Sequence, residues 1–438
     1  MSTLTLSLGS LAFILLLIGL RVPIGVAMGS VAFGGFWYLT NVNAALSVLS
    51  EAPFVFAATW DLTAIPMFLL MGAVAGNSGI GTALFRAAVA WFGALPGGLA
   101  VATNWACAGF GAASGSSVAA AAVMARLAVP EMLKHKYDKG LATGVCASGG
   151  TLDALIPPSI AFVIYGIFAE VSIVKLLLAG ILPGLLTAAV YMIMIVGRAW
   201  YNPSIAPPVV FEDRRALWRE RWASLGQVWP IVVLIVGVIG TLYFGLVSPT
   251  EGGAAGALLA IAIGLVQRKL SWAGFVDSFK DAIGTTSQLF FVGIGAIVYT
   301  RFLARAGTAE MFTGMIGTWA LDPLLLVIAI SVIYIILGTF LDPLGMILLT
   351  IPVFVPMFAA LKLDLVWFGV LVVKYIGISL LTPPVGFNIY VVASATNNTI
   401  PLKTIYRGCY WFLGAEVFIM TLLIAFPQIS LWLPNSMR

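Results

Sequence analysis

This chain interrupts two of its apolar runs with the stretches Gly149-Gly150-Thr151-Leu152-Asp153-Ala154-Leu155-Ile156-Pro157-Pro158-Ser159 and Gly377-Ile378-Ser379-Leu380-Leu381-Thr382-Pro383-Pro384. Proline removes a helix hydrogen bond and clashes with the preceding turn. A double proline therefore predicts an unwound stretch with a half-helix on each side and freed backbone carbonyls. The alternative is a simple proline kink, which membrane helices tolerate. Repetition of the motif favours the unwound stretch.

The composition places these interruptions in a membrane protein. The 438 residues are 61% hydrophobic and 9% charged, with a mean hydropathy of +1.08, whereas a soluble chain is about half apolar and a quarter charged. We expect an all-α polytopic membrane protein with about 10 to 13 transmembrane segments, at about 20 residues per crossing. The net charge of +5 comes from basic residues in short loops, which is typical of topology signals and does not indicate nucleic-acid binding.

The chain repeats part of its own pattern at a fixed spacing. Residues 112–169 align with 338–395 without a gap (383 − 157 = 226). The matching positions are three prolines and a Lys-x-Asp: Pro130 with Pro356, Lys136 with Lys362, Asp138 with Asp364, Pro157 with Pro383 and Pro158 with Pro384. Chance alignment of two leucine-rich stretches is the alternative. Secondary transporters are often built from duplicated units of this size in inverted orientation, and the more basic loop at 134–139 than at 360–364 favours inversion here.

The repeat divides the chain into two similar halves joined by a polar linker. We predict a first repeat at 1–197, a cytoplasmic linker with an interfacial helix at 198–228, and a second repeat at 229–438. The more polar segments 44–60 and 271–285 are predicted to be connecting arms along the membrane surface. The repeats are predicted to contain a hairpin at 104–130, a broken helix at 140–169, a hairpin at 338–357 and a broken helix at 366–396.

Each predicted hairpin carries a glycine-rich polar stretch, at 109–117 and at 338–343. The first stretch lies between arms of about a dozen residues, too short to cross a bilayer alone. We therefore expect the chain to enter the membrane there and return, with Pro130 and Pro356 closing the two hairpins. Non-helical backbone at that depth must be buried in protein or line a water-filled cavity. The alternative is a close helix–helix contact through small residues.

The residues at these breaks suit ion and carboxylate binding. Free carbonyls and hydroxyls are hard oxygen ligands for a small alkali cation, and a half-helix N-terminus favours an anionic group. Ionisable residues inside spans are costly and are therefore functional candidates. Asp153 and Asp342 lie in the motifs, where they could neutralise a cation. Arg126 and Lys374 could face a substrate carboxylate, or instead reach the interface or pair locally.

The sequence contains no phosphate-binding loop, dinucleotide fingerprint, metal-ligand cluster or nucleophile elbow. This disfavours an ATP-driven pump or a metalloenzyme, and we expect a transporter and not an enzyme. A passive channel is disfavoured because the sites are paired and discontinuous.

The motifs of the chain resemble one transporter family over almost its whole length. In chain order they are Pro66-Met67-Phe68-Leu69-Leu70-Met71-Gly72, Ser114-Gly115-Ser116-Ser117, the Gly-Thr-Leu…Ile-Pro-Pro-Ser stretch ending at Ser159, Gly180-Ile181-Leu182-Pro183-Gly184, Gly338-Thr339-Phe340-Leu341-Asp342-Pro343 and Thr382-Pro383-Pro384-Val385-Gly386. They are similar to the large membrane subunit of tripartite ATP-independent periplasmic (TRAP) transporters. The resemblance implies a Na⁺-driven symporter of the ion-transporter superfamily, working by an elevator movement in the bacterial inner (cytoplasmic) membrane.

The resemblance also implies partners and site residues. The family's large subunit pairs with a small four-span membrane subunit and receives an organic acid from a soluble periplasmic binding protein. Na⁺ would be the coupling ion, without an organic cofactor, and its expected ligands are Ser114, Gly115, Ser116, Ser117, Gly150, Thr151, Asp153, Gly338, Thr339, Asp342, Gly377, Ser379 and Thr382. The expected substrate contacts are Ser116, Pro157, Ser159, Pro383, Asn388, Arg126 and Lys374. Many relatives carry glycine where Asp153 and Ser379 stand.

The expected substrates are C4-dicarboxylates, with sialic acid and other monocarboxylates as alternatives. A stand-alone Na⁺- or H⁺-coupled organic-anion symporter of the same superfamily is the main rival function. It would share these motifs but would need no binding protein.

Overall fold

The protein is built from helices that pack around a continuous apolar core. The computed structural model describes residues 2–208, 214–319, 322–339 and 341–437, and these parts contain no β-strand. Their α-helices are α1 (Thr3–Gly19), α2 (Ile24–Leu39), α3 (Val42–Ala57), α4 (Ala64–Asn77), α5 (Ile80–Phe92), α6 (Gly98–Ser114), α7 (Ser117–Lys134), α8 (Lys139–Gly149), α9 (Ile160–Phe168), α10 (Ile173–Tyr201), α11 (Arg214–Ile235), α12 (Thr241–Tyr243), α13 (Pro249–Val266), α14 (Trp272–Arg305), α15 (Thr308–Trp319), α16 (Pro323–Gly338), α17 (Pro343–Ala360), α18 (Leu365–Ser379), α19 (Phe387–Ala395), α20 (Leu402–Ala425) and α21 (Gln428–Asn435).

Several of these helices have the length and composition of membrane spans. Six described segments pass this test: Ile173–Tyr201, Trp218–Tyr243, Pro249–Val266, Trp272–Arg305, Pro343–Ala360 and Leu402–Ala425. The pair α3 and α4, bent by 57°, makes a seventh if it forms one span, and five shorter apolar helices of 10–17 residues accompany them. The predicted all-α polytopic membrane fold is confirmed. The higher number of crossings expected from the sequence stays a prediction.

Two groups of helices have matching boundaries. Helices α7 and α17 begin at Ser117 and Pro343 and end at Lys134 and Ala360, so both boundaries differ by the same offset (343 − 117 = 226). The N-caps of α7 and α17, Ser116 and Asp342, are separated by the same offset. So are the N-caps of α8 and α18, which are Asp138 and Asp364. An N-cap oxygen satisfies amide groups that the helix leaves unpaired. We call α6–α9 the first unit and α16–α19 the second unit.

The hairpin arms of the first unit are longer than the sequence pattern predicted. Helices α6 and α7 have 17 and 18 residues, because α6 begins directly after Gly97, which has a left-handed φ of +68°. Pro130 lies inside α7, and Pro356 inside α17, so neither proline closes its hairpin as expected. Proline has a helical φ and costs one hydrogen bond, and packed neighbours let a membrane helix continue past it.

The arms and the linker also differ from the sequence pattern. The arm predicted at 44–60 corresponds to α3, whereas the segment 271–285 begins the continuous 34-residue helix α14, which contains no proline. The linker 198–228 holds the end of α10 and the start of α11, and α11 runs on into a membrane-length segment. The predicted interfacial helix is therefore not separate from the next span. Residues 209–213 of the linker lie outside the described residues.

A glycine contact holds the first unit against the end of the chain. Where α8 crosses α20, a Cβ on Gly408 would lie 1.9 Å from the carbonyl oxygen of Gly140, and a Cβ on Gly144 would lie 2.7 Å from the carbonyl carbon of Gly408. Such contact through small residues is typical of membrane helices, which gain dispersion energy by close backbone approach.

The variant Gly408→Ala should force α8 and α20 apart and lower the thermal midpoint of the detergent-purified protein, because overpacking costs about 1–3 kcal/mol. Gly414→Ala is the matched control in the same helix, since a Cβ there meets no atom within 4 Å. That control should keep or raise the midpoint, because alanine is a better helix former than glycine. Equal midpoints for the two variants, measured by thermal unfolding, would contradict the close packing of α8 on α20 at Gly408.

Candidate functional site

The tip of the first hairpin packs directly on the first double-proline segment. Gly115 joins α6 to α7 in the left-handed region, with φ of +60°, and a Cβ there would lie 2.9 Å from the carbonyl oxygen of Pro158. The Ser114 hydroxyl donates a hydrogen bond to Oδ2 of Asp153 at 2.9 Å. A Cβ on Gly111 would lie 2.7 Å from Oδ1 of the same carboxylate. Glycine at 111 and 115 therefore permits the close approach of tip and segment.

Asp153 is the acidic residue at this contact. It lies in a 3₁₀ turn, Gly150–Ala154, between α8 and the double proline, and it is fully buried. Its Oδ1 atom has no hydrogen-bond partner among the described residues, and no ion pair between described residues includes it. A buried ionised carboxylate is very costly unless a positive charge accompanies it. This oxygen can therefore bind a cation.

The second hairpin makes the equivalent contact in its own unit. A Cβ on Gly338, at the end of α16, would lie 2.2 Å from the Cβ of Ser379. Ser379 stands 226 residues after Asp153 (379 − 153 = 226), so a hydroxyl occupies the position of the carboxylate. The hydroxyls of Thr339, Ser379 and Thr382 donate to the carbonyls of Ile336, Ile376 and Ile378. Their oxygens keep lone pairs that can bind a cation.

The two interrupted segments contact each other. A Cβ on Gly377 would lie 3.2 Å from the Cβ of Thr151, so α18 packs on the 3₁₀ turn of the first unit. Asn388 of α19 is fully buried and donates from Nδ2 to the carbonyl oxygen of Ala147 at 3.1 Å. The same amide nitrogen would lie 3.1 Å from a Cβ on Gly150. Residues predicted to bind ions in both halves therefore share one region.

An open cavity adjoins the first hairpin tip. Its volume is about 280 Å³, and it lies between α4, the first hairpin and α14. Its polar lining residues are Asn77, Ser114, Ser116, Arg126, Asp281 and Thr285. Arg126 is exposed on α7, so its guanidinium can pair with a carboxylate that enters this cavity.

Other predicted site residues have local structural partners. Ser116, Asp342 and Ser159 are the N-caps of α7, α17 and α9. Asp342 is exposed and accepts hydrogen bonds from the backbone of Leu344 and Gly345. Ser117 begins α7, and its carbonyl oxygen would lie 2.7 Å from a Cβ on Gly150. Pro157 is buried, and Pro383 is half-buried.

Lys374 does not line a described cavity. Its Nζ atom lies 2.7 Å and 2.5 Å from the two carboxylate oxygens of Glu416 and donates to the Thr187 hydroxyl at 3.0 Å. Local pairing, one alternative expected from the sequence, is therefore what the structure shows. Sequence reasoning missed Glu416, Thr187 and Tyr191. Glu416 carried a usable signal, because it is an acidic residue in the middle of the apolar helix α20.

Comparison with known proteins identifies the family. The sequence model of the tripartite ATP-independent periplasmic transporter DctM component matches residues 11–429. The chain belongs to this family. Among curated relatives, the sialic acid TRAP transporter large permease protein SiaM of Vibrio cholerae is 31% identical over 94% of this chain and 95% of that protein. The C4-dicarboxylate large permease protein DctM of Pseudomonas aeruginosa is 32% identical over 86% of each chain.

The fold of this DctM-family chain is also similar to that of solved membrane transporters. The YdaH transporter of Alcanivorax borkumensis superposes with a TM-score of 0.63 at 13% identity, covering 98% of this chain and 99% of that one. MtrF of Neisseria gonorrhoeae, from a class of antimetabolite efflux pumps, gives a TM-score of 0.62 at 13% identity, covering 90% of this chain and 85% of that one. At this identity the likeness shows the fold alone.

Gly72 of α4 should control the position of the first hairpin tip, because a Cβ there would lie 2.1 Å from the Ser114 carbonyl oxygen. In Gly72→Ala the tip must move away from α4, and a cysteine placed at Ala119 in the cavity should react faster with a water-soluble maleimide. The native cysteines are buried and give a low background. Gly76→Ala, one turn along α4 with its nearest atom at 3.8 Å, is the control and should leave the rate unchanged. The same maleimide reaction rate in both variants would show that Gly72 does not control the position of the hairpin tip.

Proposed function

We propose that this chain is the large permease subunit of a Na⁺-coupled TRAP transporter that imports an organic acid across the bacterial inner membrane. One observation carries the proposal. In each unit a hairpin tip packs on an interrupted helix, through Ser114 on Asp153 and through Gly338 on Ser379. Paired breaks of this kind are how secondary transporters bind ions and substrates within the bilayer.

The argument for Na⁺ rests on Asp153. Its buried carboxylate accepts a hydrogen bond from the Ser114 hydroxyl at Oδ2, and its Oδ1 atom has no described hydrogen-bond partner. A single neutral hydroxyl leaves the charge of the ionised carboxylate unbalanced in a region of low dielectric. A small alkali cation bound through this carboxylate and neighbouring hydroxyls and carbonyls would neutralise it. The hydroxyls of Ser114 and Thr151 and the carbonyl groups of the 3₁₀ turn supply such oxygens.

The argument for an organic acid rests on Arg126. Its side chain lines the cavity that also contains Ser114 and Ser116, so a bound carboxylate would lie close to the proposed cation site. A planar guanidinium binds a carboxylate through two parallel hydrogen bonds. The relatives named for sialic acid and for C4-dicarboxylates both transport carboxylates. We propose an acid of one of these two kinds.

The transport step proposed is an elevator movement of the two units, related by inverted repetition, against a scaffold that includes α14. Two cavities separate α14 from the units. One is lined by Asp281 together with Ser114, and the other, of about 430 Å³, is lined by Thr300 together with Pro352. Gaps at two levels along one long helix would leave room for the units to slide along it. Na⁺ drives the step only if it binds the loaded and empty states with different affinity.

The proposed partners are a small four-span membrane subunit and a soluble periplasmic binding protein. The test is uptake of labelled C4-dicarboxylates and sialic acid into proteoliposomes that contain both membrane subunits. An inward Na⁺ gradient and the cognate binding protein should both be required. Uptake that needs Na⁺ but proceeds without the binding protein would support the stand-alone symporter instead. Uptake indifferent to Na⁺ would contradict the coupling.

Asp153→Asn should raise the Na⁺ concentration for half-maximal uptake about tenfold or more, which corresponds to about 1.4 kcal/mol of lost binding. The amide keeps an oxygen beside Ser114 but removes the charge that attracts the cation. Asp277→Asn is the control, because that carboxylate is 64% exposed on α14, and it should leave the value unchanged. An unaltered Na⁺ dependence in Asp153→Asn would exclude this carboxylate as a ligand.

Arg126→Gln should raise the KM for the organic acid about tenfold or more, since a charged hydrogen-bonded pair contributes about 1.5–3 kcal/mol. The Na⁺ concentration for half-maximal uptake at saturating substrate should stay the same. Arg305→Gln, at the exposed end of α14, is the matched control. Uptake kinetics give both constants, and a normal KM in Arg126→Gln would place the substrate carboxylate elsewhere.

A further inference from the structure

We propose that the buried cluster of Lys374, Glu416, Tyr191 and Thr187 is a positioning element of the Na⁺ site, which fixes the two interrupted segments relative to each other. We call it the Lys374 cluster. The inference rests on the proposed function, because it assigns these residues a role at the Na⁺ site. None of the four touches the proposed ion; they act through the residues that do.

The Lys374 cluster joins three helices. Lys374 lies on α18, Glu416 on α20, and Thr187 and Tyr191 lie one turn apart on α10. The side chains of Lys374 and Glu416 are only 2% and 1% exposed, and the tyrosine is fully buried. The Tyr191 hydroxyl donates to the Glu416 carboxylate, and its ring packs edge-on against Phe412 at 5.0 Å.

The cluster reaches both walls of the proposed site. Thr187 follows Gly184 by three residues on α10, and a Cβ on Gly184 would lie 2.7 Å from the side chain of Ile156, in the interrupted segment of the first unit. Lys374 lies three residues before Gly377, so the two share one face of α18, and Gly377 is the residue that packs on Thr151. The hydrogen bond from Lys374 to Thr187 therefore ties α18, the half-helix of the second unit, to α10, which packs on the interrupted segment of the first unit.

Stability alone does not explain a buried ion pair at this place. Apolar residues of similar size are often as stabilising as a buried pair, whereas loss of one partner is strongly destabilising. The pair instead fixes geometry, because charged hydrogen bonds set the distance and orientation of the groups that they join. Partners that orient metal ligands change affinity by roughly 10–100-fold when removed. The Lys374 cluster has this relation to the first interrupted segment, through α10 and through Gly377, which packs on Thr151.

The experiment compares two variants with the wild type in reconstituted transporter. Tyr191→Phe removes one oxygen and with it the hydrogen bond that joins α10 to Glu416. The double variant Lys374→Met with Glu416→Leu removes both charges together, so that neither is left unpaired. Both should raise the Na⁺ concentration for half-maximal uptake about tenfold, at the lower end of the effect of ligand-orienting partners. The KM for the organic acid at saturating Na⁺ should not change.

The control is Tyr299→Phe, which removes a buried hydroxyl that bonds Ser10 outside both units. It should leave the Na⁺ dependence unchanged. A lower thermal midpoint together with a normal Na⁺ concentration for half-maximal uptake in both variants would show a merely structural role and overturn the inference. If the double variant does not fold, the result for Tyr191→Phe decides. Wild-type uptake that ignores Na⁺ would overturn the proposed function and this inference together. Normal Na⁺ dependence in the wild type with unchanged variants would overturn this inference alone.

Discussion

The structure depends on one constraint: polar backbone and charged groups at interrupted helices must be satisfied inside an apolar core. In hydrocarbon an unpaired amide or carbonyl costs several kcal/mol. This protein meets the constraint by stacking one interruption on another. The tip at Gly115 covers the segment that ends in Pro158, and the tip at Gly338 covers Ser379. In the first unit the tip also supplies a polar partner, the Ser114 hydroxyl on Asp153, and Asn388 of the second unit donates to the Ala147 carbonyl of the first.

This arrangement explains why glycine and small polar residues concentrate at the contacts. Backbone can approach backbone only where no Cβ intervenes, as at Gly72 against Ser114 and at Gly377 against Thr151. A hydroxyl then pairs with a carbonyl of its own helix and still presents a lone pair to its surroundings. The contacts that hold the hairpins in place are thus the same contacts that bring the oxygens of the candidate site together.

The sequence predicted the elements but not all of their partners. The double prolines and the 226-residue offset locate the breaks, because proline and capping residues act locally. Helix lengths were missed, since Pro130 is tolerated inside α7 by its neighbours. The partner of Lys374 was missed for a different reason. Glu416 lies 42 residues away, and only the packing of α18 on α20 brings the two charges together.

Two buried acids in this protein differ in a way that bears on coupling. Glu416 has a cation of its own within 2.7 Å, so its charge is balanced whether or not an ion is bound. Asp153 has no described ion-pair partner, so the free energy of its carboxylate depends on whether a cation is present. A ligand can bias a conformational equilibrium only by as much as its affinities for the two states differ. Under the proposed function, the unbalanced acid provides that difference, and the balanced pair holds the surrounding segments in place.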